Sequence, residues 1–74
     1  MNLYTYYHII PIGDGYTFLA KDKNGNHFLK EKKDNDRNFV LTFKTEEEAQ
    51  DYIDVNLNSS NWAVEYFLTA KEIK

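Results

Sequence analysis

Seventy-four residues set one domain as the ceiling, residues 1–74, and leave room for only a small core. There is no cysteine, which excludes disulfide staples and thiolate metal sites and fits a reducing compartment. The net charge of −3 is modest but unevenly spread: seven of the nine basic residues lie between Lys21 and Lys44, whereas Thr45 to Ala70 holds six acids and no base.

In chain order, Leu3 to Ile10 is rich in β-branched and aromatic residues and ends at Pro11, which predicts a first strand. Gly13-Asp14-Gly15 predicts a turn, and Tyr16 to Lys21 a second strand. Asn24-Gly25 between two apolar runs is a hairpin signal, so His27 to Glu31 is the third strand. Lys32 to Arg37 is polar and reads as a loop. Asn38 to Lys44 alternates, with Phe39, Leu41 and Phe43 on one face and Val40 and Thr42 on the other, which predicts a fourth strand.

At Thr45 the period changes. Thr45-Glu46-Glu47-Glu48 is a capping box, opening a helix expected to run to about Leu57. Ala49, Tyr52, Ile53 and Leu57 fall on one helical face. After the break at Asn58 to Asn61, Trp62, Val64, Tyr66 and Leu68 alternate through a fifth strand, Trp62 to Thr69. The expected fold is therefore α+β: a mostly antiparallel five-stranded sheet, β-β-β-β-α-β, with one amphipathic helix on one face. The first four strands would form a meander, and the fifth would return beside the first.

The chemistry of catalysis is thin. His8 and His27 sit in predicted strands, the only serines are Ser59 and Ser60 in a loop, and no nucleophile has a base at a telling spacing. Asp22 to Asn26 and Asp34 to Asn38 begin like calcium loops. Both lack the glycine at the sixth position, occupied by His27 and Phe39, and the glutamate at the twelfth, occupied by Lys33 and Thr45. Gly13-Asp14-Gly15 precedes a strand, so it offers no helix amides to a phosphate. The residues imply no enzyme, no cofactor and no metal.

Two surfaces stand out. Glu47, Asp51 and Asp54 recur at i, i+4 and i+7, opposite the apolar helix face. Such a row is the normal solvated side of a helix, and it also matches a basic groove on a partner. Twelve aromatic residues are the second feature. One helix covers one sheet face, so Tyr4, Tyr6 and Phe67 on the other face are expected to be hidden by a second copy or another protein, unless long lysines lie over the rings. Basic residues near Tyr16, Phe18 and Phe28 also suit stacking of single-stranded nucleic acid on the hairpin of strands two and three, although four acids interleave with them.

The segment Phe43-Lys44-Thr45-Glu46-Glu47-Glu48-Ala49-Gln50-Asp51-Tyr52-Ile53 looks like a strand-to-helix junction common in small proteins of bacteria and their phages. In size, charge and layout the chain resembles phage and mobile-element accessory proteins, including anti-CRISPR and other anti-defence inhibitors. The cysteine-free composition leads to the expectation of a cytoplasmic protein, and the resemblance implies a non-catalytic module that masks a basic surface on a protein partner such as a host defence nuclease. Single-stranded nucleic-acid binding is the alternative.

Overall fold

The computed structural model describes residues 2–72. Its elements are β1 (Tyr4–Pro11), β2 (Thr17–Lys21), β3 (His27–Glu31), α1 (Glu46–Asn56) and β4 (Trp62–Thr69). The class is α+β, with one helix. The single five-stranded sheet is corrected to two antiparallel pairs, β1 with β4 and β2 with β3. The last strand does lie beside the first, with Tyr4 opposite Thr69 and Pro11 opposite Trp62.

The missing strand explains the difference. Residues 39–43 divide their hydrogen bonds between the two pairs. Lys21 N–H donates to the Phe39 carbonyl and Leu41 N–H to the Leu19 carbonyl, at 2.9 and 3.1 Å. The segment then leaves β2, and Tyr7 and Phe43 exchange two bonds of 2.9 Å each. Each contact is a single bridge, Ala20 to Val40 and Tyr7 to Phe43, too short to continue a ladder. Phe39 enters the segment with φ of 73°, a left-handed turn conformation that stops regular pairing further back. β1 and β2 are consequently not paired with each other, and the expected meander is absent.

The hairpin forms where Asn24-Gly25 places it. Gly25 supplies φ of 88°, and the Asp22 carboxylate accepts from the N–H of Asn24 and of Asn26, both at 2.9 Å. The calcium-like stretch is thus a turn that uses its aspartate internally. Asp34 and Asp36 do likewise, accepting from the N–H of Asp36 and Asn38 at 2.9 Å. The bond from Asn38, helped by Lys30, holds the Asp36 carboxyl below its usual range.

Thr45 caps α1 as expected: its hydroxyl oxygen accepts from Glu48 N–H at 3.1 Å, and Leu57 ends the helix. Ala49 and Ile53 pack with Ile9 of β1 and Leu19 of β2 into a core shut off from water. Tyr7, Leu41, Phe43, Tyr52, Leu57, Trp62 and Val64 surround it. His27 Nε2 lies 2.7 Å from the Tyr52 hydroxyl, tying the hairpin to the helix.

Candidate protein-docking site

Tyr4, Tyr6 and Phe67 do come together. Tyr4 and Tyr6 have ring centroids 6.5 Å apart, and Tyr6 and Phe67 5.8 Å apart. They do not form the uncovered patch expected of them, because Tyr6 is only 4% exposed and Tyr4 and Phe67 are half-buried. The reverse face of the β1–β4 sheet closes on itself. His8 stacks on Phe67 at 4.2 Å and meets Phe18 of β2 at 4.3 Å. Phe18 is roofed by cations, with Lys32 Nζ 5.2 Å and the Arg37 guanidinium carbon 5.3 Å from its ring centroid. Lys32 also reaches Glu65 on β4 at 2.7 Å.

Between these groups lies a pocket of about 210 Å³, lined by His8, Phe18, Arg37, Thr42, Glu65 and Phe67, with Val40. Burial, and then the nearby Arg37 and Lys32 charges, push the His8 pKa down to about 4 against the opposing pull of Glu65. The imidazole is neutral at pH 7. Arg37 is spent on structure, since its Nη1 donates to the carbonyls of Lys32 and Asp34 at 2.9 and 2.6 Å. Ser60, one of the two serines, donates its hydroxyl to Asn58 at 2.7 Å in the turn before β4. Among the described residues no group of three or more histidines and acids is placed to hold a metal ion.

Glu47, Asp51 and Asp54 are all exposed on the outer side of α1. Gln50 donates to Asp54 at 3.1 Å, and the ion pairs among the described residues lie elsewhere, at Lys30–Asp36, Lys32–Glu65 and Lys33–Glu31. Three of the seven cations of the basic segment are thereby paired, two with its own acids and Lys32 with Glu65 of β4, while the helix acids keep their charge outward. Val55 stands beside them, 81% exposed.

The outer edge of β4 is the feature that sequence reasoning missed. Tyr7 spends its backbone bonds on Phe43, on the side away from β4. In an antiparallel ladder the N–H and C=O of one residue point to the same edge, and successive residues alternate. Tyr7 faces Tyr66 in register, so that pair exchanges no bonds, and neither do Thr5–Leu68, Ile9–Val64 and Pro11–Trp62. The bond from Ile12 N–H to the Asn61 carbonyl at 2.9 Å, one step beyond Pro11–Trp62, has the phase this alternation demands. The backbone groups of Trp62, Val64, Tyr66 and Leu68 therefore point to the open side of β4. Among the described residues no other strand pairs there.

Length explains why apolar side chains at one end of this strand stay bare. An eleven-residue helix is about 16 Å long and an eight-residue strand about 27 Å. α1 covers the Trp62 and Val64 end, leaving Tyr66 and Leu68 66% and 56% exposed, with Leu3, just before β1, 60% exposed. The alternation of Trp62, Val64, Tyr66 and Leu68 carried the signal, and helix length would have shown which end stayed open. No helix of the described residues is long and apolar enough to cross a membrane. No protein-family model, curated protein or solved structure matches this chain.

Proposed function

We propose that this protein is a non-catalytic module that works by binding another protein surface. The observation that carries the reading is the open edge of β4, where unpaired backbone groups accompany the exposed side chains of Tyr66 and Leu68. A polypeptide backbone is the natural complement of such an edge, and the neighbouring side chains supply selectivity. In its more specific form the module masks a basic surface on a nucleic-acid-handling partner, as an anti-defence inhibitor does. The outward charge of Glu47, Asp51 and Asp54 supports that form, because it steers a basic partner toward α1.

The alternative, stacking of single-stranded nucleic acid on the β2–β3 hairpin, draws on Tyr16, 81% exposed, and Phe28, 37% exposed. It is weakened by the acids that already hold Lys30, Lys32 and Lys33. The test compares affinity capture by the native chain with capture by Tyr66→Lys/Leu68→Lys and by Glu47→Lys/Asp51→Lys/Asp54→Lys. A protein captured by the native chain and lost from one variant supports the reading. Capture unaffected by either variant, or tight binding of an oligothymidylate in a fluorescence-anisotropy titration, overturns it.

A further inference from the structure

We infer that the open edge of β4 is filled by β4 of a second copy of this chain, antiparallel about a two-fold axis through Tyr66. The inference rests on the reading of that edge as a docking surface and names its occupant. Proteins normally protect a long edge strand with lysine, proline, a bulge or a covering segment. Trp62 to Thr69 contains no lysine, arginine or proline, and Glu65 is its one charge. Glu65 lies opposite His8 on the reverse face and is tied to Lys32.

The strand is self-complementary in a particular register. The outward backbone groups belong to residues 62, 64, 66 and 68, so two copies can bond only where even-numbered residues face even-numbered residues. Two such arrangements each overlap seven residues of the strand: one centred on Glu65 bonds all four outward residues, and one centred on Tyr66 bonds residues 64, 66 and 68 and sets Trp62 against Ala70 just beyond the strand. The first sets Glu65 directly against its own copy, and like charges in directly opposed positions destabilise a sheet. The second sets Tyr66 against Tyr66, Val64 against Leu68 and Glu65 against Phe67. Charge therefore selects the second, which also joins the apolar side chains left bare beyond the end of α1 into one covered strip.

The product is a continuous sheet in the order β1-β4-β4-β1, with an isologous interface. A two-fold axis through a sheet edge pairing stands perpendicular to the sheet, so both α1 helices lie on the same side. The two rows of Glu47, Asp51 and Asp54 are then carried by one face of the pair. This doubles the acidic surface offered to a basic partner without any rearrangement of the chain.

The absence of cysteine makes the test direct. Tyr66→Cys places two thiols across the proposed axis, where opposed residues of a bonded pair have Cα atoms about 5.5 Å apart, within disulfide reach. Glu65→Cys serves as the register control. The expected results are sedimentation of the native chain at twice its own mass, and of Tyr66→Lys at single mass with an unchanged circular dichroism spectrum. In glutathione buffer the Tyr66→Cys chain is expected to give a disulfide dimer in at least tenfold greater yield than Glu65→Cys. A native chain that stays single up to about 1 mM, weaker than any specific association of interest, overturns the second copy as occupant. If such a monomer still loses a captured protein on Tyr66→Lys, the edge remains a docking site and only its occupant was misjudged. If capture is also unchanged, the docking reading falls with it. Faster cross-linking of Glu65→Cys than of Tyr66→Cys overturns the proposed axis.

Discussion

On the α1 side of the β1–β4 sheet, Ile9 meets Leu19, Ala49 and Ile53, and all four are shut off from water. On the reverse side Tyr6, His8 and Phe67 meet Phe18 beneath the cationic ends of Lys32 and Arg37. The first face is closed by a secondary-structure element and depends on shape. The second is closed by side chains from a loop and depends on charge: His8 must be neutral, and Lys32 must hold Glu65. A chain of this length, with one helix, closes both faces only by using two different kinds of cover, and the two should fail under different conditions.

The largest effect is expected on the helix side. Ile53→Ala removes three carbons from a site with no contact with water. The lost burial and the cavity left behind should cost about 3 kcal/mol, more than half of the ~5 kcal/mol that stabilises a marginal small domain. Urea denaturation followed by circular dichroism measures it, and the loss should be the same at pH 7 and pH 5. A loss below about 1 kcal/mol would mean that α1 does not clamp this face.

The reverse face should be the pH-sensitive one. His8 has a folded pKa of about 4 against 6.5 when free. Between those values the unfolded chain binds more protons than the native one, so the stability present above pH 6.5 is lost as pH falls toward 4. Between pH 7 and pH 5 the native chain should lose about 2 kcal/mol more than His8→Gln, a comparison in which the carboxylates common to both cancel. Arg37→Gln removes one of the charges that oppose protonation, so an NMR titration should show the His8 pKa rising from about 4. Equal acid sensitivity of native chain and His8→Gln would place the imidazole in water and undo the contrast between the faces.

How much of this was legible follows from which interactions are local. The hairpin at Asn24-Gly25, the cap at Thr45 and the apolar face of α1 depend on residues within a few positions of one another, and each appears where the sequence puts it. The partnership of β1 with β4 follows from connection geometry. Residues 38–44 alternate like a strand, yet their bonds are divided between two strands that do not pair with each other. Periodicity carries no information about that division. The fate of Tyr6 was undecidable for the same reason: whether an aromatic face is bare depends on where Lys32 and Arg37 lie, and both belong to a loop. The outward direction of Glu47, Asp51 and Asp54 was readable from the helical period alone, and comparing helix with strand length would have shown which side chains of β4 stay bare, whereas its open backbone edge depends on which strands pair.

A smaller effect tests the start of the helical cover. Thr45→Ala deletes the oxygen that accepts Glu48 N–H, leaving that amide to water. The expected cost is about 1 kcal/mol, read as a lower urea midpoint with unchanged slope. An unchanged midpoint would mean that the flanking glutamates hold the first turn without the hydroxyl.

The smallest stability effect, and the sharpest functional one, belongs to Glu47→Lys/Asp51→Lys/Asp54→Lys. Each change adds two charges, so three of them carry the chain from −3 to +3. Glu47 lies in the first turn, where a cation opposes the helix dipole, whereas Asp54 lies in the last turn, where a cation is favoured, so the two contributions offset. Loss of the Gln50–Asp54 bond is minor at an exposed site. Stability should therefore stay within about 0.5 kcal/mol of the native chain. Binding of a basic partner should fall by an order of magnitude or more. Native binding should also weaken as salt rises, because exposed charges are screened over roughly 8 Å at physiological ionic strength. A calorimetric titration in which the triple variant matches the native chain would assign these carboxylates to solvation alone. The β4 edge would then be left as the surface through which this protein acts.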